Sequence, residues 1–153
     1  MGANSTVVKT KSATGSNVGG FIGEIVAGTV LIEDSYNAAK VTNTGATSPD
    51  KVGGICGKVA EGASFTITRC YVSASVTLTK STSDAAVADA ILASGSAVVT
   101  DTYFDKAAKR TTTGAIKFAS DAWPTWPVDA AWGSIGAYGE GGAIVYPKLS
   151  WEQ

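Results

Sequence analysis

The amino-acid sequence predicts an all-β fold: a β-solenoid (β-helix-like) of about three coils with a Trp-rich C-terminal cap. Three observations predict it. Residues 17–45 and 51–79 repeat one pattern at an offset of 34 to 35 positions. Each copy holds short apolar, β-branched runs cut by Gly, Asn, Asp and Ser. No window sustains the three-and-four apolar spacing of an amphipathic helix. Composition agrees. Ala, Gly, Ser and Thr make up about half the chain, and only 16% is charged, against roughly 25% in an ordinary globular domain.

The repeat can be followed residue by residue. Val18-Gly19-Gly20-Phe21-Ile22-Gly23 falls on Val52-Gly53-Gly54-Ile55-Cys56-Gly57, and Gly28 falls on Gly62. After one inserted residue, Ile32 meets Ile67, Ser35-Tyr36 meets Cys70-Tyr71, and Val41 meets Val76. A degenerate third copy keeps Gly95, Val99 and Thr102-Tyr103, with Ala and Asp in place of the glycine pair around Ala86-Val87-Ala88-Asp89. Ahead of the first copy, Thr6 to Thr10 resembles the tail Ser75 to Thr79, so the chain reads as starting partway through a longer array. The organisation that follows is a repeat region, 1–105 (copies 17–50, 51–84 and a degenerate 85–105), and a C-terminal capping segment, 106–153.

Each copy shows three strand signals, around Phe21 to Val26, Val30 to Ile32 and Lys40 to Thr42. A unit of this size cannot bury its own apolar face, but layers stacked roughly 4.8 Å apart can. Strict alternation from Ile32, Ile67 and Val99 would also bury Asp34, Arg69 and Asp101, at several kcal/mol for each unpaired charge. A corner just before the Tyr pairs removes that conflict. Beyond it, Ser35, Cys70 and Thr102 form a small-residue ladder, and Tyr36, Tyr71 and Tyr103 an aromatic one. Gly19, Gly20, Gly23, Gly53, Gly54 and Gly57 are expected to turn the chain with positive φ and to let layers approach closely.

All four Trp and three of the four Pro lie after residue 106. Two readings stand for them. One is a cap core over the last coil, shielding strand edges that would otherwise pair with other chains. The other is a platform for sugar rings built from Trp123, Trp126 and Tyr138, possible glycan contacts that Trp123-Pro124-Thr125-Trp126-Pro127 presents.

Other chemistry is sparse. With no His, Ser-His and Cys-His arrangements and most zinc sites are excluded. A net charge of -1 gives no footprint for nucleic acid. No apolar run is long enough to span a bilayer, and the first residues lack the pattern of a signal peptide. Cys56 and Cys70 occupy inward positions, as buried thiols or as a disulfide if the strands face each other. Asp34, Asp50, Asp84, Asp89, Asp101 and Asp105 read as solvated turn formers without calcium-loop spacing. No catalytic residue, cofactor or metal is expected.

The unit Gly20-Phe21-Ile22-Gly23, repeated as Gly54-Ile55-Cys56-Gly57 and followed by an apolar strand and a Ser-Tyr or Cys-Tyr pair, resembles the GLUG motif. The resemblance covers residues 17 to 105. The stretches Tyr103 to Lys106, Thr112 to Gly114, Trp132-Gly133 and Tyr146 to Glu152 are similar to the ending that follows such repeats. It implies a bacterial, Bacteroides-like, secreted or cell-surface protein of adhesin type. The function expected is a non-catalytic structural or adhesive repeat module of a larger protein, or alternatively a carbohydrate-binding module using the cap aromatics. Its partners would be neighbouring domains of the parent chain and a host or bacterial glycan or protein.

Overall fold

β-Branched and aromatic residues cut every few positions by Gly or a polar corner form strands too short to stand alone. The structure, a computed structural model, describes residues 6–9, 16–43, 50–73, 76–78, 87–106 and 112–152. Ahead of the first copy lies β1 (Thr6–Lys9). The first copy holds β2 (Asn17–Gly19), β3 (Ile22–Ile25), β4 (Thr29–Glu33), β5 (Tyr36–Asn37) and β6 (Lys40–Asn43). The second holds β7 (Lys51–Gly53), β8 (Cys56–Val59), β9 (Ser64–Thr68), β10 (Tyr71–Val72) and β11 (Val76–Leu78). The third holds β12 (Val87–Asp89), β13 (Leu92–Ser94), β14 (Val98–Thr100) and β15 (Tyr103–Phe104). The junction near residues 84 and 85 lies outside the described residues, as does Asp84.

The chain is all-β, and every strand of the repeats pairs in parallel with its counterpart in the next copy. The ladders run β1-β6-β11, β2-β7-β12, β3-β8-β13, β4-β9-β14 and β5-β10-β15. Register follows the repeat: Val18 on Val52 and Ala88, Ile32 on Ile67 and Val99, Tyr36 on Tyr71 and Tyr103. Val7 lies on Val41 and Val41 on Val76, so β1 takes the place of the last strand of a preceding copy. The interior between the ladders is a single cluster including Ile25, Ile55, Cys56, Val59, Phe65, Ile67, Cys70, Ile91 and Leu92. A smaller cluster joins Val18, Val41, Val52 and Ala88.

Two expectations are corrected. Among the described residues the first two copies each hold five strands rather than three, because the residues beside the glycines and the Tyr pairs also join ladders. The glycine pairs do not adopt positive φ; that conformation falls on Gly28, Gly62 and Gly95, at φ of 81°, 80° and 93°. Gly19, Gly20, Gly53, Gly54 and Gly57 instead sit where backbone crosses backbone. A Cβ on Gly54 would lie 1.9 Å from the Ala90 carbonyl oxygen, and one on Gly57 2.5 Å from that of Gly23. The third copy has Asp89 in register with Gly53, followed by Ala90 at the place of Gly54. Its outer side faces residues 112–118 rather than a full further layer.

The C-terminal segment departs from the expected cap. Residues 112–118 do cover the end of the third copy: β16 (Ile116–Lys117) extends the β15 ladder in parallel. Beyond them the chain turns back along the side of the array. It forms β17 (Trp132–Ser134), β18 (Ala137–Tyr138), β19 (Ile144–Val145) and β20 (Lys148–Leu149), paired antiparallel as β17–β20 and β18–β19. Single 3-10 turns span Glu140–Gly142 and Ser150–Glu152. Trp126 and Trp132 therefore flank the Tyr column instead of sitting over the last layer, and Trp151 is exposed. Tyr36, Tyr71 and Tyr103 stand in register along that side, and Phe118, Trp126 and Trp132 pack against them in one aromatic cluster.

Gly54→Val is expected to destabilise the fold by about 3 kcal/mol through overpacking. This lowers the melting temperature by roughly 6–12 °C for a chain of this size. Gly23→Ala, whose Cβ would approach no atom closer than 3.0 Å, costs less. Thermal melts of both variants check this, and an unchanged melt for Gly54→Val would count against the close crossing.

Candidate functional site

The most elaborated part of the molecule is the corner before each Tyr and the aromatic cover laid against it. Asp34, Arg69 and Asp101 all have left-handed φ, at 46°, 48° and 45°. That conformation costs a non-glycine residue roughly 1–2 kcal/mol. It turns each charged side chain out of the interior, as the sequence conflict demanded. The next residue closes the corner the same way in all three copies. Ser35 Oγ donates to the Glu33 carbonyl at 2.8 Å, Cys70 Sγ to Thr68 at 3.1 Å, and Thr102 Oγ1 to Thr100 at 2.9 Å. The small-residue ladder is thus a ladder of side-chain donors spanning left-handed corners.

Asp34 is the hub that joins these corners to the cover. Its carboxylate accepts from Arg69 Nε at 2.6 Å, from a second Arg69 guanidinium nitrogen, and from Trp132 Nε1 at 2.8 Å. The guanidinium holds the Asp34 carboxyl below the ordinary aspartate range against the opposing effect of burial, and Trp132 assists. Arg69 is raised in turn, first by Asp34. Asp101 contributes only its carbonyl, which accepts from Trp126 Nε1 at 3.2 Å.

The Tyr column is in register. Tyr36 and Tyr71 stack at 4.9 Å with planes 5° apart, and Tyr146 lies parallel to Tyr71 at 5.6 Å. Tyr103 packs on Phe118 at 5.3 Å and meets Trp126 edge-on. The hydroxyls reach the cover: Tyr71 donates to the Pro147 carbonyl at 2.9 Å, Tyr36 to Glu152 and Tyr146 to Asp105. Burial, with Glu152 beside it, pushes the Tyr36 phenol up to about 12. Burial also raises Tyr71, Tyr103 and Tyr146. None of these phenols is an acid–base group at neutral pH.

The residues singled out as glycan contacts do not make one exposed platform. Trp126 is 5% exposed, packed against Trp132 at 4.6 Å. Trp123 is half-buried and donates to the Ile135 carbonyl at 2.9 Å. Tyr138 is 39% exposed and meets Trp123 at 66° between planes. A groove of about 390 Å³ opens instead beside Tyr36, Tyr71 and Tyr146, rimmed by Pro147, Lys148 and Glu152.

Cys56 and Cys70 are free and buried. Burial pushes their thiols up to about 11 and about 12, so both are protonated and unreactive at neutral pH. Two aspartates read as solvated turn formers are buried. Asp50 Oδ1 accepts from Ser16 N at 2.6 Å. Asp89 Oδ1 accepts from Ile91 N at 2.9 Å and from Thr112 Oγ1 at 2.6 Å. Asp50 bonds backbone across layers, and Asp89 bonds backbone of its own copy and of Thr112 in the C-terminal segment. Asn37, which sequence reasoning did not single out, is fully buried; its Nδ2 donates to the Gly54 carbonyl at 2.7 Å and its Oδ1 accepts from Ala39 N at 2.8 Å. Its signal was a polar residue standing in register with Val72.

Among the described residues, no cluster of three or more His, Cys, Asp or Glu is arranged to hold a metal ion, and no helix is long and apolar enough to cross a membrane. Compared with known proteins, the chain matches no family model, no curated protein and no solved structure.

Replacing the Asp34 carboxylate by an amide removes a bidentate partner of Arg69. Asp34→Asn is expected to cost about 1–3 kcal/mol at pH 7. Because the folded pKa is depressed, the native stabilisation is complete above the ordinary value of 3.8 and disappears as pH falls through the lower folded value. Denaturant titrations of both proteins from pH 7 to pH 2 should show the gap closing only below that ordinary value.

Proposed function

We propose that this chain is a β-solenoid of GLUG-like coils, acting as a non-catalytic structural or adhesive module of a larger secreted or cell-surface bacterial protein. The observation that carries the reading is the in-register parallel pairing of all three copies, corner on corner, over ladders such as Leu31–Thr66–Val98 and Tyr36–Tyr71–Tyr103. Such a stack makes a stiff body whose flat outer faces vary without disturbing the interior. The groups with the most chemical potential support this role. Asp34, Asp89 and the hydroxyls of Tyr36, Tyr71 and Tyr146 are engaged in joining layers or cover, and the two thiols are buried with bonds to carbonyls of their own copies. The GLUG resemblance of residues 17 to 105 is what supports a bacterial-surface setting for the module. Its partners are then the flanking domains of the parent chain and whatever protein or glycan the array presents itself to.

Carbohydrate recognition is the second reading, and the groove beside Tyr36 and Tyr146 favours it. There an aromatic wall meets the exposed Lys148. A glycan array probed with the folded chain separates the two. The structural or adhesive reading expects no saturable binding that depends on Lys148. A specific hit that is lost in Lys148→Ala, with the melting temperature unchanged, would replace it with the carbohydrate reading.

A further inference from the structure

We infer that the third copy carries a binding site, built around Asp89, for a neutral polyhydroxylated ligand about the size of one sugar ring. The inference goes beyond both readings above, because it uses none of the residues of the Tyr groove. A cavity of about 280 Å³ lies where the turn between β13 and β14 meets residues 112 and 113; Lys51, Asp89, Leu92, Ser94, Ser96 and Thr113 are among the residues that line it. Its volume falls at the small end of the roughly 300–1,000 Å³ common for ligand sites. Ser96 and Thr113 are exposed, so the cavity reaches the surface, whereas Asp89 is only 1% exposed.

Asp89 is the anchor. Its Oδ1 accepts from Ile91 N at 2.9 Å, from Thr112 N at 3.1 Å and from Thr112 Oγ1 at 2.6 Å. Among the described residues its Oδ2 has no such bond. A buried carboxylate oxygen left without a donor is costly, and a ligand hydroxyl that donates to it gains a charge-assisted hydrogen bond. The repeat shows that this group is particular to the third copy. Asp89 stands on Gly53, and Gly53 on Gly19. A Cβ on Gly53 would fall 1.9 Å from the Cys56 carbonyl oxygen. Ser94 stands on Lys58, and Lys58 on Glu24, where the first two copies form an ion pair at 2.7 Å. A place without a side chain and a place held by an ion pair thus become a carboxylate and a hydroxyl, and both line one cavity.

The lining selects the class of ligand. It offers the Asp89 carboxylate as an acceptor and the hydroxyls of Ser94, Ser96 and Thr113 as donors or acceptors. Thr112 is already committed, since its hydroxyl donates to Asp89 and accepts from Leu92 N. A hard metal ion needs several converging oxygen ligands, and among the described residues no three acidic, His or Cys groups cluster. An anion would meet the Asp89 charge, and an amine would share the cavity with Lys51. Among the described residues no aromatic ring lines the cavity, so a flat apolar ligand gains little there. An uncharged molecule with several neighbouring hydroxyls matches what is left.

The test titrates the isotopically labelled chain with the methyl glycosides of glucose, galactose and mannose and, separately, with calcium chloride and methylammonium chloride, and follows the backbone amides. At least one glycoside is expected to give saturable, millimolar shifts confined to residues 89–97 and 112–114. Ser96→Val and Thr113→Val, both at exposed positions, should each weaken that binding by about threefold or more. Asp89→Asn keeps an acceptor oxygen for Ile91 and Thr112 but removes the charge, and should weaken it by about tenfold or more. If Asp89→Asn does not fold, the two exposed variants decide. No saturable shift with any glycoside overturns the inference, as does binding undiminished in Ser96→Val and Thr113→Val. Shifts centred on Val145 to Lys148 would assign the sugar to the Tyr groove and overturn it too. So would calcium or methylammonium moving the amides of residues 89–97 while the glycosides do not.

Discussion

Strands of two to five residues make too few hydrogen bonds to persist as isolated pairs. They persist here because each is held in parallel register by its counterpart in the next copy. Once that pairing exists, equivalent side chains fall on one another, and a small apolar unit acquires a continuous interior. Length differences are absorbed in the corners. Ile22 pairs with Cys56 and Ile32 with Ile67, while Cys56 pairs with Leu92 and Ile67 with Val99. The turn after β8 is therefore one residue longer than that of the first copy, and the turn in the third copy is shorter, yet the ladders stay aligned. Side chains are excluded at the glycine crossings because backbone there meets backbone, not because the chain needs left-handed freedom.

The corners convert this stacking into a second structure. Left-handed Asp34, Arg69 and Asp101 direct charge outward and let the next two residues resume the ladder. The Tyr column that follows is a strip of aromatic surface. An isolated array would expose it, and the C-terminal segment covers it with Trp126, Trp132, Phe118 and Tyr146. Asp34 ties all three parts together, since it bonds the corner of the second copy and the indole of Trp132 at once. A carboxylate with a guanidinium and an indole N–H as partners is strongly favoured in its charged form, even though it is partly shielded from water.

The sequence made the repeat legible because period and turn chemistry were both visible. Val-Gly-Gly, the Gly28 and Gly62 turns, the inward Ile32 and Ile67 and the Tyr pairs locate the layers without coordinates. The need for a corner at Asp34, Arg69 and Asp101 was readable too, because a period-two pattern would have buried three charges. Two-residue strands such as Tyr36–Asn37 were not legible, since no periodicity can be read from two positions. The buried Asp50, Asp89 and Asn37 were misread or missed for one reason. A polar residue near a turn looks the same whether it faces water or satisfies backbone from an adjacent layer. The cover was legible in composition but not in placement, because Trp and Pro content says that a core forms and not which surface it forms against. For the same reason Trp126 was open to reading as a sugar platform, although its ring packs on Trp132.

The claim on which the account stands is that Ile32, Ile67 and Val99 are neighbours across parallel strands. Inter-strand nuclear Overhauser effects on the isotopically labelled chain report this directly. The account predicts backbone contacts linking β4 to β9 and β9 to β14 in parallel order, with Leu31 beside Thr66 and Thr66 beside Val98. Contacts that pair β4 with a strand of its own copy, or that run antiparallel to β9, would contradict it.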